Sequence, residues 1–105
     1  MIGLNRYRRG MLGAAGILLA LGAPAMAYTG QKLAVHAKVT MTQAREIALA
    51  AHPGKVTDEE LEREPGGSGL RYSFDIKNGA RTQEVGVDAA TGKVLENKTE
   101  GPHPD

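Results

Sequence analysis

Between residues 70 and 77 the chain alternates without a break: Leu70, Tyr72, Phe74 and Ile76 interleave with Arg71, Ser73, Asp75 and Lys77. A period of two sends successive side chains to opposite faces of a sheet, so this run specifies a strand with one apolar and one wet face. Asn78-Gly79 follows, a pair suited to the positive φ angles of a two-residue hairpin turn. The return strand, residues 81–88, then sets Val85 and Val87 on the apolar face. A second hairpin is expected beyond it, where Asp88 opens a short loop and Gly92 takes the left-handed conformation before residues 93–97. A sheet with one dry face must bury that face against another layer.

The preceding segment supplies the layer. Thr40 is a suitable N-cap, and Gln43, three residues later, completes a capping box. Ala44, Ile47, Ala48 and Ala51 recur on one helical face, and Met41 extends the stripe. Pro53 cannot continue a helix and turns His52 away from helical dihedrals, so a helix is expected over residues 41–51. Its alanines let the backbone approach a sheet closely and leave most of the core volume to the strands. Residues 56–64 have helical propensity in Asp58-Glu59-Glu60-Leu61-Glu62-Arg63-Glu64. Gly54 before them and the run Pro65-Gly66-Gly67-Ser68-Gly69 after them favour a strand. Val56 and Leu61 have opposite parity, which requires a bulge between them or places Val56 in the junction after the helix. The expected fold class is α+β: one N-terminal helix packed on a small antiparallel sheet of three to four strands.

The ends read differently. Arg6, Arg8 and Arg9 precede an apolar stretch over residues 11–21, then Pro24 and Ala25-Met26-Ala27. These are the parts of a secretory signal peptide over residues 1–27, cleaved after Ala27. The alternative is a retained anchor, because residues 10–30 carry no charge. Residues 28–39 are expected to be a linker, 40–98 the folded domain and 99–105, with Pro102 and Pro104, a mobile tail. Export would be to the periplasm or the medium, by the general or the twin-arginine route.

Cleavage also changes the charge. Thirteen Lys+Arg less the three in the leader leave ten against twelve Asp+Glu, a formal −2 in place of +1. Such a chain has no basic footprint for nucleic acid and no membrane partner once the leader is gone. Without cysteine there is neither a disulfide framework nor a thiolate metal site.

No catalytic constellation is legible. Ser68 lies in Gly66-Gly67-Ser68-Gly69, but a nucleophile elbow needs glycine where Leu70 stands. The glycine run is not followed by Lys-Ser/Thr, as a phosphate loop requires. His36, His52 and His103 lack metal-ligand spacing. No catalytic residue, metal or cofactor is expected. The feature with functional potential is the acidic run Asp58, Glu59, Glu60, Glu62 and Glu64. Charges on an exposed edge strand discourage unwanted sheet pairing, and they can also set the charge of a partner. Candidate partner-binding residues are Glu60 and Glu62 on this strand, with Arg71 and Asp75 on the wet face of the central one.

The order of these parts resembles the PepSY domain. That pattern is a threonine-capped helix with spaced alanines (Thr40, Ala44, Ala48), a Pro53-Gly54 stop and a charged strand over residues 56–64. A central strand bearing Tyr72 and a closing hairpin, Asp88 through Thr91-Gly92 to Val94, complete it. The resemblance implies a helix on an antiparallel sheet and a non-enzymatic module that binds a protein or peptide, in particular a peptidase that it inhibits or regulates. The alternative it leaves is a sensory or accessory domain that binds an envelope protein or small ligand without inhibition. The resemblance falls short of a protease propeptide in one respect, since no metallopeptidase domain is expected after the module.

Overall fold

The computed structural model describes residues 27–101. The expected signal segment, apart from Ala27, and the last four positions, with His103, lie outside them. A 3-10 helix, Gln31–His36, leads into helix α1, Met41–Ala51. Four strands follow: β1, Lys55–Arg63; β2, Leu70–Asn78; β3, Arg81–Asp88; and β4, Val94–Gly101. They form one sheet in the order β1-β2-β3-β4, each pair antiparallel. The α+β expectation holds, with one α-helix against four strands.

Helix α1 starts where its cap dictates. The Gln43 amide donates to Thr40 Oγ1 at 3.1 Å, and the Thr40 amide donates to Gln43 Oε1 at 2.9 Å. Both otherwise orphaned amides of the first turn are thereby satisfied. The helix presses Ala44 and Ala48, each fully buried, against the sheet, while Ile47 and Met41 are half-buried and Ala51 is exposed. Ala51 thus falls off the buried stripe, because the last turn has already left the sheet.

The dry face is the one the alternation specified. Leu70, Tyr72, Phe74 and Ile76 are buried with Leu61, Val85, Val87 and Ala89. Tyr72 is 1 % exposed, and its hydroxyl donates to the Val39 carbonyl at 2.6 Å. The bond ties the central strand to the segment ahead of α1, and burial pushes the phenol pKa up, with help from the neighbouring Tyr28. Residues 28–39 are therefore more than a linker. Tyr28, Leu33, Ala34, Ala37 and Val39 all pack on the core, and the amides of Lys38 and Val39 both donate to the Ala89 carbonyl at 2.9 Å.

The strand ends bring further corrections. The register of β1 shifts between Val56 and Asp58, so of the two explanations for the opposite parity of Val56 and Leu61 it is the bulge, with Val56 inside the strand, that the fold uses. The first hairpin turns one residue later than the Asn-Gly pair suggests. Asn78 pairs with Arg81, so Gly79 and Ala80 form the turn, with Gly79 at φ 66°. A glycine in the first central position suits a hairpin equally well. Asn78 instead donates its side-chain amide to the Pro53 carbonyl at 3.0 Å, holding the helix exit against the hairpin. Strand β4 continues through Thr99 to Gly101, beyond the point where a tail was expected to begin. Thr99 Oγ1 donates to Gln83 Oε1 at 2.7 Å, a cross-strand bond that sequence periodicity does not reveal.

Candidate functional site: an acidic sheet face and an open edge

The face of the sheet turned away from α1 collects most of the acidic side chains. In β1, Glu60 and Glu62 stand opposite Ser73 and Arg71 of β2, and Asp58 stands opposite Asp75. Glu84 of β3 lies opposite Asp75 on the other side, and Lys98 and Glu96 of β4 complete the same rows. The four residues singled out from sequence, Glu60, Glu62, Arg71 and Asp75, therefore share one face, and two of them are register neighbours.

This face is not uniformly wet. Arg71 is 8 % exposed and Ser73 6 %. Gly86 is the cause. A Cβ there would come within 2.8 Å of Arg71 Cδ, so the absent side chain leaves a trough in which the arginine lies flat across the sheet. Its guanidinium donates to the Pro65 carbonyl at 3.0 Å and pairs with Glu64 at 3.4 Å and Glu96 at 3.5 Å. Arg71 is thus engaged within the chain rather than displayed to a partner as the sequence suggested. Glu60, Glu62 and Asp75 remain half-exposed.

Their electrostatics follow from partial burial, and then from crowding. Burial raises the Glu60 pKa, and the charges of Asp58, Asp75, Glu84 and Glu64 raise it further. Glu62 is pushed up to about 7, first by burial, then by a hydrogen bond with Glu64 and the charge of Glu60. Asp75 rises for the same reasons, with Asp58 and Glu84 as neighbours. At the far edge, burial and a hydrogen bond with Glu84 raise Glu100. Like charges held close in partial burial favour the protonated form.

Asp88, at the end of the same face, behaves in the opposite way. It is 2 % exposed, yet it accepts from the Ser68 amide at 2.7 Å, the Ser68 hydroxyl at 2.8 Å, the Ala90 amide at 2.7 Å and the Thr91 amide at 3.3 Å. Burial alone would raise its pKa, but these donors outweigh burial and hold the carboxyl below its usual range. The bonds join the glycine-rich loop after β1 to the β3–β4 turn. They also give Ser68 its role: its hydroxyl is a structural donor to a carboxylate. Sequence reading assigned Asp88 to opening a loop, and its reach across to Ser68 was invisible because twenty residues separate them.

The edge of the sheet at β1 is partly covered. Thr29 forms a single parallel bridge with Glu60, and the Leu61 amide donates to the Thr29 carbonyl at 2.9 Å. Beside this contact runs a groove of about 800 Å³ lined by Ala27, Tyr28, Thr29, Arg45, Val56, Thr57, Asp58 and Glu59. Arg45 of α1 makes a two-pronged pair with Glu59, Nε to Oε1 and Nη2 to Oε2, each at 2.9 Å. Among the described residues no group of three or more His, Cys, Asp or Glu side chains is placed to hold a metal ion. No helix among them is long and apolar enough to cross a membrane.

Residues 38–98 match the family described as PepSY, peptidase propeptide and YPEB domain. This span is more than half of the chain, and the chain belongs to that family. It covers α1 and nearly all of the sheet, so the acidic face and the β1 edge both lie inside the family domain. No curated protein and no solved structure matches the chain. Family membership makes this a module of the type found in peptidase propeptides.

Proposed function

We propose that this is an exported, non-catalytic binding module that docks a protein partner, a peptidase, through the acidic outer face of its sheet and restrains that partner's activity. The observation that carries the reading is the convergence of Glu60, Glu62 and Asp75 on one half-exposed face, where burial and then neighbouring carboxylates raise their pKa values. Crowded carboxylates gain when a partner brings positive charge, because the same contact relieves their repulsion. Family membership supports a peptidase as the partner, and the leader-like residues 1–27 support export.

The test is to capture envelope proteins with the protein and to assay captured peptidases with and without it. Saturable loss of proteolysis, weakening as salt rises, is the expected result. The double variant Glu60→Gln with Glu62→Gln should slow association by about tenfold while the fold is retained. Capture without any loss of proteolysis would reassign the module to an accessory or sensory role. An unchanged association rate in the double variant would remove the acidic face from the interface.

A further inference from the structure

We propose that β4 is the contact between two copies of this chain, pairing antiparallel with itself about a two-fold axis at Asn97, so that Glu96 of each copy stands opposite Lys98 of the other. Such a dimer is independent of the peptidase reading above.

Of the sheet's two outer strands, β1 carries the Thr29 bridge, whereas β4 takes no bridge on its far side from any described residue. The direction of its backbone groups follows from β3. The Asp88 amide donates toward β4, to the Lys93 carbonyl, and the next amide, that of Ala89, donates toward β2, to the Leu70 carbonyl. The β2–β3 register runs without a shift, so the alternation continues along β3 and Gly86 and Glu84 face β4. Their partners Glu96 and Lys98 therefore bond inward, and Asn97 and Thr99 turn their backbone groups outward. The register shifts of this pair fall on either side, between Val94 and Glu96 and between Thr99 and Gly101, so residues 96–99 form a regular stretch. Asn97, Lys98 and Thr99 are exposed, and the Asn97 and Thr99 side chains bond back to Gln83, which leaves the edge clear.

Charge selects both the occupant and the register. With the axis at Asn97, the two Asn97 residues exchange their outward amides and carbonyls. Each Glu96 then meets a Lys98 in the flanking non-hydrogen-bonded pairs, where side chains approach most closely. Lys98 Nζ lies 3.1 Å from Glu96 of its own strand, yet its side chain is 64 % exposed, so a second glutamate can reach it. Moving the axis to Lys98 sets lysine against lysine and Glu96 against Glu100, which repel. Moving it to Thr99 brings in the irregular backbone around Glu100. A lysine guards an edge against a neutral strand; here it favours the strand that carries its counter-charge. The dimer is one continuous sheet, with both helices on one side and both acidic faces on the other.

The experiment follows the protein recovered from envelope fractions by sedimentation equilibrium and amide hydrogen exchange as its concentration rises. The paired stretch is short, so a monomer–dimer equilibrium with a Kd of about 0.1 mM is expected. Protection should rise with concentration at the Asn97 and Thr99 amides, while those of Glu96 and Lys98, already bonded to β3, stay protected throughout. Lys98→Glu and Glu96→Lys should each weaken the dimer by about tenfold or more, since each sets like charges opposite one another. Mixing the two variants should restore it, because every facing pair is then again of opposite charge. Arg71 keeps the Pro65 carbonyl and Glu64 in Glu96→Lys. Asn97→Pro removes an outward amide that the fold does not use, which an edge strand tolerates, and should abolish the dimer. A monomer up to about 1 mM, a dimer indifferent to Lys98→Glu, or no rescue on mixing folded variants would each overturn the contact. Peptidase inhibition by a protein that stays monomeric would leave the function proposed above standing and remove this contact. A dimer that meets these tests with no peptidase affected would do the reverse.

Discussion

The two faces of the sheet are built from the same strands and obey different physics. Toward α1, Phe74, Tyr72, Ile76, Val85 and Val87 are fully packed, and each gains by leaving water. Away from it, burial and then the charges of neighbouring carboxylates raise the pKa values of Glu60, Glu62, Asp75 and Glu100, so each is held there at some electrostatic cost. The dry face stabilises the fold. The acidic face is tolerated by the fold and useful only if something else meets it.

The sharpest way to break this contrast is Phe74→Ala. Phe74 is fully buried at the centre of β2, between Glu59 of β1 and Val85 of β3 in the ladder. Removing its ring should cost about 3–5 kcal/mol, much of what a domain this small can hold. Urea denaturation should show a large drop in the midpoint. An unchanged midpoint would mean that the packed face does not carry the stability assigned to it.

The dry face was legible in sequence because burial imposes a period, and the period survives in Leu70 to Ile76 without knowledge of any neighbour. Thr40 and Gln43 were legible for a similar reason: a capping box is closed within four residues. What stayed hidden depends on residues far apart in the chain. Arg71 looked like a solvent-facing residue by parity, and it is buried because Gly86, on the next strand, leaves it room. The Thr29 bridge joins positions thirty-one apart, and nothing local in residues 28–39 announces it. Of the candidate residues, sequence set Arg71 and Asp75 on the wet face and gave Glu60 and Glu62 only as part of the acidic edge strand; their crowding depends on Asp58, Glu64, Asp75 and Glu84, which pairing across β1, β2 and β3 brings together.

Asp88 sharpens the comparison, since it is a buried carboxylate on the outer side that stabilises. Asp88→Ala would strand the amides of Ser68, Ala90 and Thr91 together with the Ser68 hydroxyl. A loss of about 2–3 kcal/mol is expected, with Asp88→Asn falling between it and the parent. Amide exchange should quicken first in the loop at Gly67–Ser68 and in the turn at Ala90–Thr91. A change below about 0.5 kcal/mol would show that the two loops hold without the carboxylate.

The pH dependence separates the two kinds of carboxylate. Glu62, near 7 in the fold, keeps its proton where the unfolded chain has released it. Stability therefore falls as pH rises from the ordinary glutamate value, about 4.3, toward 7. Glu60, Asp75 and Glu100 add to this trend, because their folded values are raised as well. Asp88 is lowered, so its contribution is present above its unfolded value and is lost as pH falls through the folded one. The protein should thus gain stability on acidification from about pH 8 to 5 and lose it again below about pH 4. Glu62→Gln should be more stable than the parent at the alkaline end and converge with it near the acidic end. Denaturation curves of equal slope against pH for both proteins would show that the crowding is relieved in solution.

The smallest effect expected is at Arg45 and Glu59, the one pair that reaches from α1 to the edge strand among the described ion pairs. Its geometry is good, with both prongs at 2.9 Å, and Glu59 strengthens the hold of Arg45 on its proton. The Arg45 side chain is nevertheless 36 % exposed, so water competes for the charge. A double-mutant cycle with Arg45→Ala and Glu59→Ala should give a coupling of about 0.5–1 kcal/mol, shrinking as salt is added. That value would class the pair with the outer face: a polar contact that shapes the wall of the groove and contributes little to holding the fold. A coupling above about 2 kcal/mol, indifferent to salt, would instead place it with the dry face, as a desolvated bond clamping the helix onto β1.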